Sequence, residues 1–175
     1  MNPRKRFTPF DPESRSLREL LTVYSSVMNE LRKRRVTRTS NNPASDYAEW
    51  LVARHLKLTL TAKSNTGHDA TDANGIRYEI KCRRLSPENT SRQLSPFRGH
   101  PEVHFDFLVG VLFESDFSVE EACIVPWKTV FELAIHRRHV NGHVLHLRES
   151  LWDAPGVEDI THDLQLAQLE IDKNE

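Results

Sequence analysis

Two periodicities divide the chain into predicted helices and strands. Apolar residues recur every three or four positions between Ser14 and Arg35, and again after Asn42-Pro43, which predicts two amphipathic helices. Short apolar or alternating runs follow, and we predict strands at 58–62, around Asp69, and at 76–83, 105–113 and 122–125. A third helix is expected to open at Pro126-Trp127, to carry apolar residues as far as Ile135, and to end in the run that contains His136 and His139. This order of elements predicts an α/β domain.

The first predicted helix carries a continuous apolar stripe. Its apolar residues have i, i+3, i+4, i+7 spacing and are Leu17, Leu20, Leu21, Tyr24, Val27, Met28 and Leu31. A stripe of this length has to be covered, either by the rest of the same domain or by a second copy of the chain. The sequence leaves both arrangements open.

Asp69 and the tripeptide Glu79-Ile80-Lys81 lie on either side of an Asn74-Gly75 turn, in two strands that we predict to pair. Because residues two apart on a strand point to the same face, Glu79 and Lys81 project together while Ile80 faces the core. A charged face that alternates with an apolar one is also typical of any half-buried strand. The pattern alone therefore does not establish a site.

The register of this hairpin decides whether Asp69 joins the other two charged groups. A two-residue type I′ turn would place Asp69 opposite Ile80, on the face away from Glu79. A three-residue loop, with Gly75 in the left-handed conformation, would place Asp69 opposite Glu79. We predict the second arrangement, or an equivalent kink.

Two carboxylates and a lysine on one face suit metal-dependent cleavage of a phosphodiester. Magnesium takes oxygen ligands and is usually held by one or two carboxylates together with water and substrate phosphates. An ion held in this way polarises the phosphate and lowers the pKa of a water that becomes the nucleophile. A lysine beside it can hold that water or a phosphate oxygen. Asp69, Glu79 and Lys81 are therefore candidate site residues.

With its wider context, this hairpin resembles the PD-(D/E)XK nuclease superfamily. The resemblance covers about Asn42 to Leu133 and rests on Glu49 in the preceding helix, Asp69, Glu79 and Lys81. The segments 41–50, 78–81 and 92–95 are also similar to small bacterial and phage proteins of restriction-endonuclease type. The resemblance implies a restriction-endonuclease-like core, which is a mixed central β-sheet flanked by helices.

The resemblance also implies roles for these residues. Asp69 and Glu79 would bind Mg²⁺, for which Mn²⁺ can substitute, and the carbonyl of Ile80 would add a ligand. Glu49 would be an auxiliary ligand or would accept a hydrogen bond behind the metal. Lys81 would serve the attacking water.

Charge is divided unequally along the chain, although its net value is −1. Residues 1–100 carry 19 Lys or Arg against 10 Asp or Glu, whereas residues 101–175 carry 5 against 15. A cationic half that contains the candidate site favours binding to a phosphate backbone, since each neutralised phosphate releases condensed counterions. The predicted nucleic-acid contacts are Arg34, Arg35, Arg38, Arg83, Arg84, Arg92, Gln93 and Arg98. A solvated helix end explains the first three equally well.

Two functions remain open. The first is a Mg²⁺-dependent DNA endonuclease, with RNA as a weaker variant, and a homodimer would present two sites to the two strands of a duplex. The second is a non-catalytic module on the same fold that binds nucleic acid or a partner protein. A divalent ion bridging Asp69 and Glu79 would favour the enzyme. A salt link from Lys81 to both carboxylates with no cavity would favour the module.

The remaining features give coarser expectations. Cys82 and Cys123 are isolated, so we expect reduced, buried thiols. The four histidines between 136 and 146 match no ligand spacing of a metal site well, and His68 stands where the nuclease family name has proline. No secretory signal precedes the first helix, so a cytoplasmic protein is expected. We expect a basic disordered tail over 1–13, one domain over 14–155 with its core at about 42–135, and an acidic helix or tail over 156–175.

Overall fold

The computed structural model describes residues 10–62, 67–97 and 104–174. It divides into two compact units, residues 1–40 and 41–175. The boundary lies at Ser40-Asn41, whereas the sequence suggested one domain over 14–155, and residues 156–175 belong with the larger unit. Most of the expected basic tail, residues 1–9, lies outside the described residues.

The N-terminal unit contains helix α1 (Leu17–Lys33), close to the predicted span. A capping box begins it: the Ser16 hydroxyl accepts from the Glu19 N–H at 3.3 Å, and the Ser16 N–H donates to the Glu19 carboxylate at 2.8 Å. The described part of this unit leaves most of the apolar stripe uncovered, since Leu17 exposes 74% and Tyr24 53% of its surface. A homodimer through this stripe stays a prediction.

The larger unit is a six-stranded sheet with helices against it. Its elements are α2 (Ala44–His55), β1 (Thr59–Leu60), β2 (Ala70–Thr71), β3 (Arg77–Arg84), β4 (Phe107–Phe113), β5 (Val119–Pro126), α3 (Trp127–Leu133), β6 (Ile135–Arg137), a 3-10 helix (Arg138–Val140), β7 (Gly142–Val144), α4 (Glu149–Trp152), β8 (Glu158–Asp159) and α5 (Thr161–Asn174). Among the helices of the described residues, none is both long and apolar enough to cross a membrane.

The strand order in the sheet is β1-β2-β3-β4-β5-β8. β3 and β4 run parallel, and the other neighbouring strands in this sheet run antiparallel. A parallel pair needs a long connection, which residues 85–106 provide. The expected α/β fold with a mixed central sheet flanked by helices is therefore confirmed.

Each face of the sheet is covered by a separate apolar core. On one face, Val109 packs in a cluster with Leu51 of α2 and Leu164 of α5. On the other face, Leu108 packs in a cluster with Leu147 and with residues of α3 and α4. Because β4 is buried on both faces, its sequence is a continuous apolar run and does not alternate.

The acidic C-terminal segment completes the sheet unit. Its strand β8 pairs with β5 and its helix α5 covers the sheet. The side-chain amide of Gln168 donates to the Tyr47 hydroxyl at 2.7 Å and to the Phe117 carbonyl at 2.8 Å. These two bonds fasten α5 to α2 and to the turn between β4 and β5.

The prediction of a helix that reaches His136 is wrong. Helix α3 ends at Leu133, because Ala134 takes an extended conformation with ψ 142°, and β6 then pairs with β7. The chain reverses at Asn141, which has φ 45°, a left-handed conformation that asparagine tolerates well. His136 faces His143 across this hairpin, with ring centroids 4.9 Å apart.

The cysteines behave as predicted. Cys82 and Cys123 are both free and buried. Burial raises the pKa of Cys82 to about 11 and the pKa of Cys123 to about 12. Both side chains are therefore neutral thiols at physiological pH and serve the core.

Candidate active site

The register of the β2–β3 hairpin is the predicted one. Ala70 pairs with Tyr78, which places the preceding residue, Asp69, opposite Glu79. Gly75 has φ +80°, the left-handed conformation expected at the end of a three-residue loop. The prediction that Asp69 and Glu79 share one face is therefore confirmed.

Asp72 fixes this loop, and sequence analysis did not single it out. Its carboxylate accepts hydrogen bonds from the backbone N–H groups of Asn74 at 2.8 Å and Ile76 at 2.9 Å. Its own N–H donates to the Ile76 carbonyl at 3.0 Å, and its carbonyl accepts from the Gly75 N–H at 3.2 Å. The signal was present, because an aspartate two residues before Asn-Gly favours this kind of side-chain-closed turn.

The candidate residues lie on the face of the sheet turned away from α2. On β3, Ile80 and Cys82 belong to the core that contains α2, so their neighbours along the strand project to the other side. Glu79 and Lys81 are those neighbours, and Lys81 lies in register with Gly110 of β4. Two paired strands and the parallel strand beside them thus position the site.

The ammonium of Lys81 is the centre of the site. Its Nζ lies 2.5 Å from Glu79 Oε1 and 3.3 Å from Asp69 Oδ2. It also donates to the carbonyl of Ile80 at 3.3 Å. Asp69 Oδ2 accepts a further hydrogen bond from the Ile80 N–H at 2.8 Å, which orients this carboxylate independently of the lysine. Two carboxylates and a backbone carbonyl therefore converge on one point.

Burial and mutual repulsion perturb the acidic groups. Burial raises the pKa of Glu79 from 4.5 to about 7, with smaller upward contributions from the charges of Asp69 and Glu49, against the downward pull of Lys81. Burial also lowers the pKa of Lys81, but Asp69 and Glu79 outweigh it and the net pKa lies above 10.5. The lysine is therefore firmly charged, whereas Glu79 titrates close to neutral pH.

The site is mostly buried but keeps some contact with solvent. The side chain of Asp69 exposes 24% of its surface, that of Lys81 16% and that of Glu79 12%. The salt link from Lys81 to both carboxylates is thus present, and the sequence analysis associated this link with a binding module where no cavity accompanies it.

Glu49 lies in the middle of α2 and is buried. Its charge makes a small upward contribution to the pKa of Glu79. Its neighbours Ala48 and Leu51 pack in the core beneath the helix. The role of Glu49 as an auxiliary metal ligand stays a prediction.

The oxygen atoms around the Lys81 ammonium are suitable ligands for a hard divalent cation. Within residues 10–62, 67–97 and 104–174, no three His, Cys, Asp or Glu side chains lie close enough together to hold a metal ion. Magnesium needs no such cage, because one or two carboxylates, water and substrate phosphates complete its coordination. Asp69, Glu79 and the Ile80 carbonyl are the residues that would hold it.

The predicted nucleic-acid contacts fall into separate parts of the molecule. Arg34, Arg35 and Arg38 belong to the N-terminal unit, and Arg98 lies outside the described residues. Gln93 is half-buried and forms an isolated antiparallel β-bridge with His146.

Arg83 and Arg84, by contrast, line a cleft of about 290 Å³ between the end of β3 and the start of α2. Asn42 and Ser45 also line it. The Arg83 Nε is buried and has no hydrogen-bond acceptor among the described residues, while the Arg84 guanidinium lies 4.7 Å from the centre of the Phe117 ring. Two cations and several polar groups make this cleft suitable for an anion.

Arg92 has a structural task. Its guanidinium forms ion pairs with Glu120 at 3.2 Å and with Glu121, and its Nε donates to the Leu147 carbonyl at 2.7 Å. These contacts tie the segment after β3 to strand β5 and to the segment before α4. The arrangement uses three of the five N–H donors that a phosphate contact could use.

We expect Arg92→Gln to lower the free energy of unfolding by about 2 kcal/mol, because it leaves two partly buried carboxylates without their counter-ion. Chemical denaturation would measure this loss, and Arg138→Gln, at an exposed arginine, would serve as the control. Fluorescence anisotropy with duplex DNA should show the same affinity for the variant and the unsubstituted protein. Unchanged stability with weaker DNA binding would instead restore Arg92 to the nucleic-acid contacts.

A second ion pair, between Arg77 and Asp106, anchors the start of the parallel strands, and sequence analysis missed it. Arg77 Nη2 lies 2.9 Å from Asp106 Oδ1, and Arg77 Nε lies 3.1 Å from Oδ2. The hydrogen bond from Arg77 holds the pKa of Asp106 below its usual range, with a smaller contribution from the charge of His68. The partners are 29 residues apart, so no local pattern points to this pair.

Comparisons with known proteins add no family to this picture. No protein-family model matches the chain, and no curated protein matches it significantly. The chemistry of Asp69, Glu79 and Lys81 and the geometry that the fold gives them are therefore what indicates a function.

Proposed function

We propose that the protein is a metal-dependent endonuclease that hydrolyses phosphodiester bonds of DNA. The observation that carries the proposal is the convergence of oxygens from Asp69, Glu79 and Ile80 on the ammonium of Lys81. Two carboxylates and a carbonyl are suitable ligands for Mg²⁺, and a lysine beside them is suitable for a phosphate or a nucleophilic water.

The topology around the site supports a restriction-endonuclease-like core. An antiparallel hairpin carries Asp69 and Glu79, a parallel strand follows on its other side, and α2 with Glu49 precedes the hairpin. This is the arrangement that the resemblance to PD-(D/E)XK nucleases implies. We infer the finer fold from this order of elements.

Each side chain has a task in the proposed reaction. Asp69 and Glu79 hold the cation, with the Ile80 carbonyl as a third protein oxygen. A bound Mg²⁺ supplies a polarised phosphate and a more acidic water. Lys81 donates to that water or to a non-bridging phosphate oxygen and offsets the negative charge that builds up there. Glu49 adds to the negative potential that attracts the cation.

DNA is the proposed substrate because positive charge lies next to the site. Arg83 follows Lys81 by two residues, roughly 7 Å along the strand. Together with Arg84 it lines the polar cleft at the end of β3. A nucleic-acid backbone that reaches the site could therefore place a neighbouring phosphate in this cleft.

A non-catalytic binding module is the second candidate, and one observation favours it. Lys81 forms a salt link with both carboxylates, which holds these groups together without any ligand. A module of this kind would bind nucleic acid or a protein through its basic surface and would cut nothing.

We expect the purified chain to cleave plasmid DNA with Mg²⁺ or Mn²⁺ and to lose this activity with a chelator. Lys81→Ala should lower the cleavage rate about a hundredfold to a thousandfold, because it removes the donor to the reacting oxygens. Gel assays on plasmid, single-stranded DNA and RNA would also establish the substrate class.

Lys128→Ala is the matched control, since Lys128 is an exposed lysine outside the site. It should cleave at the rate of the unsubstituted protein. Binding of DNA without cleavage, equal in the Lys81 variant, would identify the non-catalytic module instead.

A further inference from the structure

Lys81 uses all of its donors on the oxygens that the proposed metal ion would need. An ammonium has three N–H donors and no acceptor. The contacts of Nζ are Glu79 Oε1 at 2.5 Å, Asp69 Oδ2 at 3.3 Å and the Ile80 carbonyl at 3.3 Å. The described contacts of the lysine therefore involve the same three residues as the candidate metal site.

An ammonium and a divalent cation compete for these three oxygens. Magnesium binds its ligands at about 2.1 Å, so an ion held by the same three oxygens would take the place that Nζ now fills. Two positive centres at contact distance would also repel each other strongly in a partly buried site. An ion that takes these oxygens therefore displaces the ammonium from them.

We propose that Lys81 is the resident counter-ion of this cation site, and that a divalent ion binds only as Lys81 gives up its three oxygens. The inference rests on the proposed function, because the cation is that of the proposed nuclease. The displaced ammonium stays on the same face of β3, where it is free to meet a phosphate or a water. Lys81 thus holds the site together without metal and becomes the donor to substrate with metal.

Two features of the site make the exchange feasible. Asp69 Oδ2 keeps its hydrogen bond from the Ile80 N–H at 2.8 Å when the lysine leaves, so this carboxylate remains oriented. The Lys81 side chain exposes 16% of its surface, which gives it a route towards solvent. When both are ionised, the two carboxylates carry one more negative charge than the ammonium neutralises, so a divalent ion matches the charge of the site.

The first test measures binding of Mn²⁺ to the full chain by isothermal titration calorimetry. Lys81→Met keeps an unbranched side chain, one atom shorter, and removes its charge, and Lys128→Met is the matched control. We expect Lys81→Met to lower the Mn²⁺ dissociation constant about tenfold to a hundredfold, since the ion no longer has to displace charge-assisted contacts. The control should bind as the unsubstituted protein does. Equal or weaker binding by Lys81→Met would overturn the inference.

The second test uses the unsubstituted protein and so does not depend on the variant folding. Acetylation of lysines by an amine-reactive ester, followed by mass spectrometry, would compare Lys81 with Lys128. We expect slow modification of Lys81 without metal and at least a severalfold faster rate with Mn²⁺, while Lys128 does not change. An acetylation rate of Lys81 that is the same with and without Mn²⁺ would contradict displacement of the lysine.

DNA cleavage by the same preparations separates this inference from the proposed function. Release of Lys81 by Mn²⁺ without any DNA cleavage would support the exchange and contradict the proposed nuclease function. Cleavage that needs Mn²⁺, with unaltered affinity in Lys81→Met and unaltered reactivity of Lys81, would keep the nuclease and overturn the exchange.

Discussion

Glu79→Gln is expected to lower DNA cleavage about a hundredfold to a thousandfold while it stabilises the folded protein at pH 8. The amide keeps the shape of the carboxylate and its ability to accept from Lys81, but it has no charge with which to hold a divalent ion. Activity falls because the cation site loses a ligand. Stability rises because the folded protein no longer confines a charged Glu79 in a partly buried site.

The sign of the stability effect follows from the pKa of Glu79. Burial raises this pKa from 4.5 to about 7, so between these pH values the native state keeps a proton that the unfolded chain releases. The stability that this proton contributes is complete below about pH 4.5 and is lost as the pH rises through about 7. Glu79→Gln has no such loss, so its advantage over the unsubstituted protein should grow between pH 5 and pH 8, to on the order of 2 kcal/mol.

Urea denaturation at pH 5, 6.5 and 8 would measure this advantage. Glu132→Gln, at an exposed glutamate of α3, is the control and should show no pH-dependent difference. A difference between Glu79→Gln and the unsubstituted protein that stays constant over this range would mean that Glu79 is not forced towards its neutral form.

The heart of the site was predictable because it is local. Asp69 and Lys81 lie only 12 residues apart, and a hairpin joins them. The two-residue period of a strand fixes which side chains share a face, and the Asn74-Gly75 turn fixes where the chain reverses. Register was the one uncertain step, and Gly75 with the turn-closing carboxylate of Asp72 decided it.

Long-range partners were not predictable in the same way. Arg92 was predicted to contact phosphate, because its local sequence does not indicate its ion-pair partners. These partners, Glu120 and Glu121, are 28 and 29 residues away. The acidic C-terminal segment likewise shows no sign that it supplies a sixth strand. The predicted end of α3 was wrong for a related reason. The helical periodicity extends to Ile135, but pairing between β6 and β7 outweighs it.

Gly110→Val is expected to lower the free energy of unfolding by about 3 kcal/mol, as overpacking of a closed core does. A Cβ at this position would lie 3.0 Å from a methyl of Leu94 and 3.1 Å from a methyl of Leu147. Ordinary contacts between carbon atoms are about 3.5–4.0 Å, so both leucines or strand β4 must move. Gly110 lies in register with Lys81, and movement of β4 should therefore also reduce cleavage.

A double-mutant cycle with Leu94→Ala tests this origin of the instability. Leu94→Ala alone opens a cavity and should cost about 2–4 kcal/mol, but it also removes one of the two methyl groups that a Cβ would meet. Gly110→Val should therefore cost about 1–2 kcal/mol less in the Leu94→Ala background than in the unsubstituted protein, as measured by urea denaturation. Strict additivity of the two changes would show that crowding is not the cause. The loss would then lie in the backbone of β4.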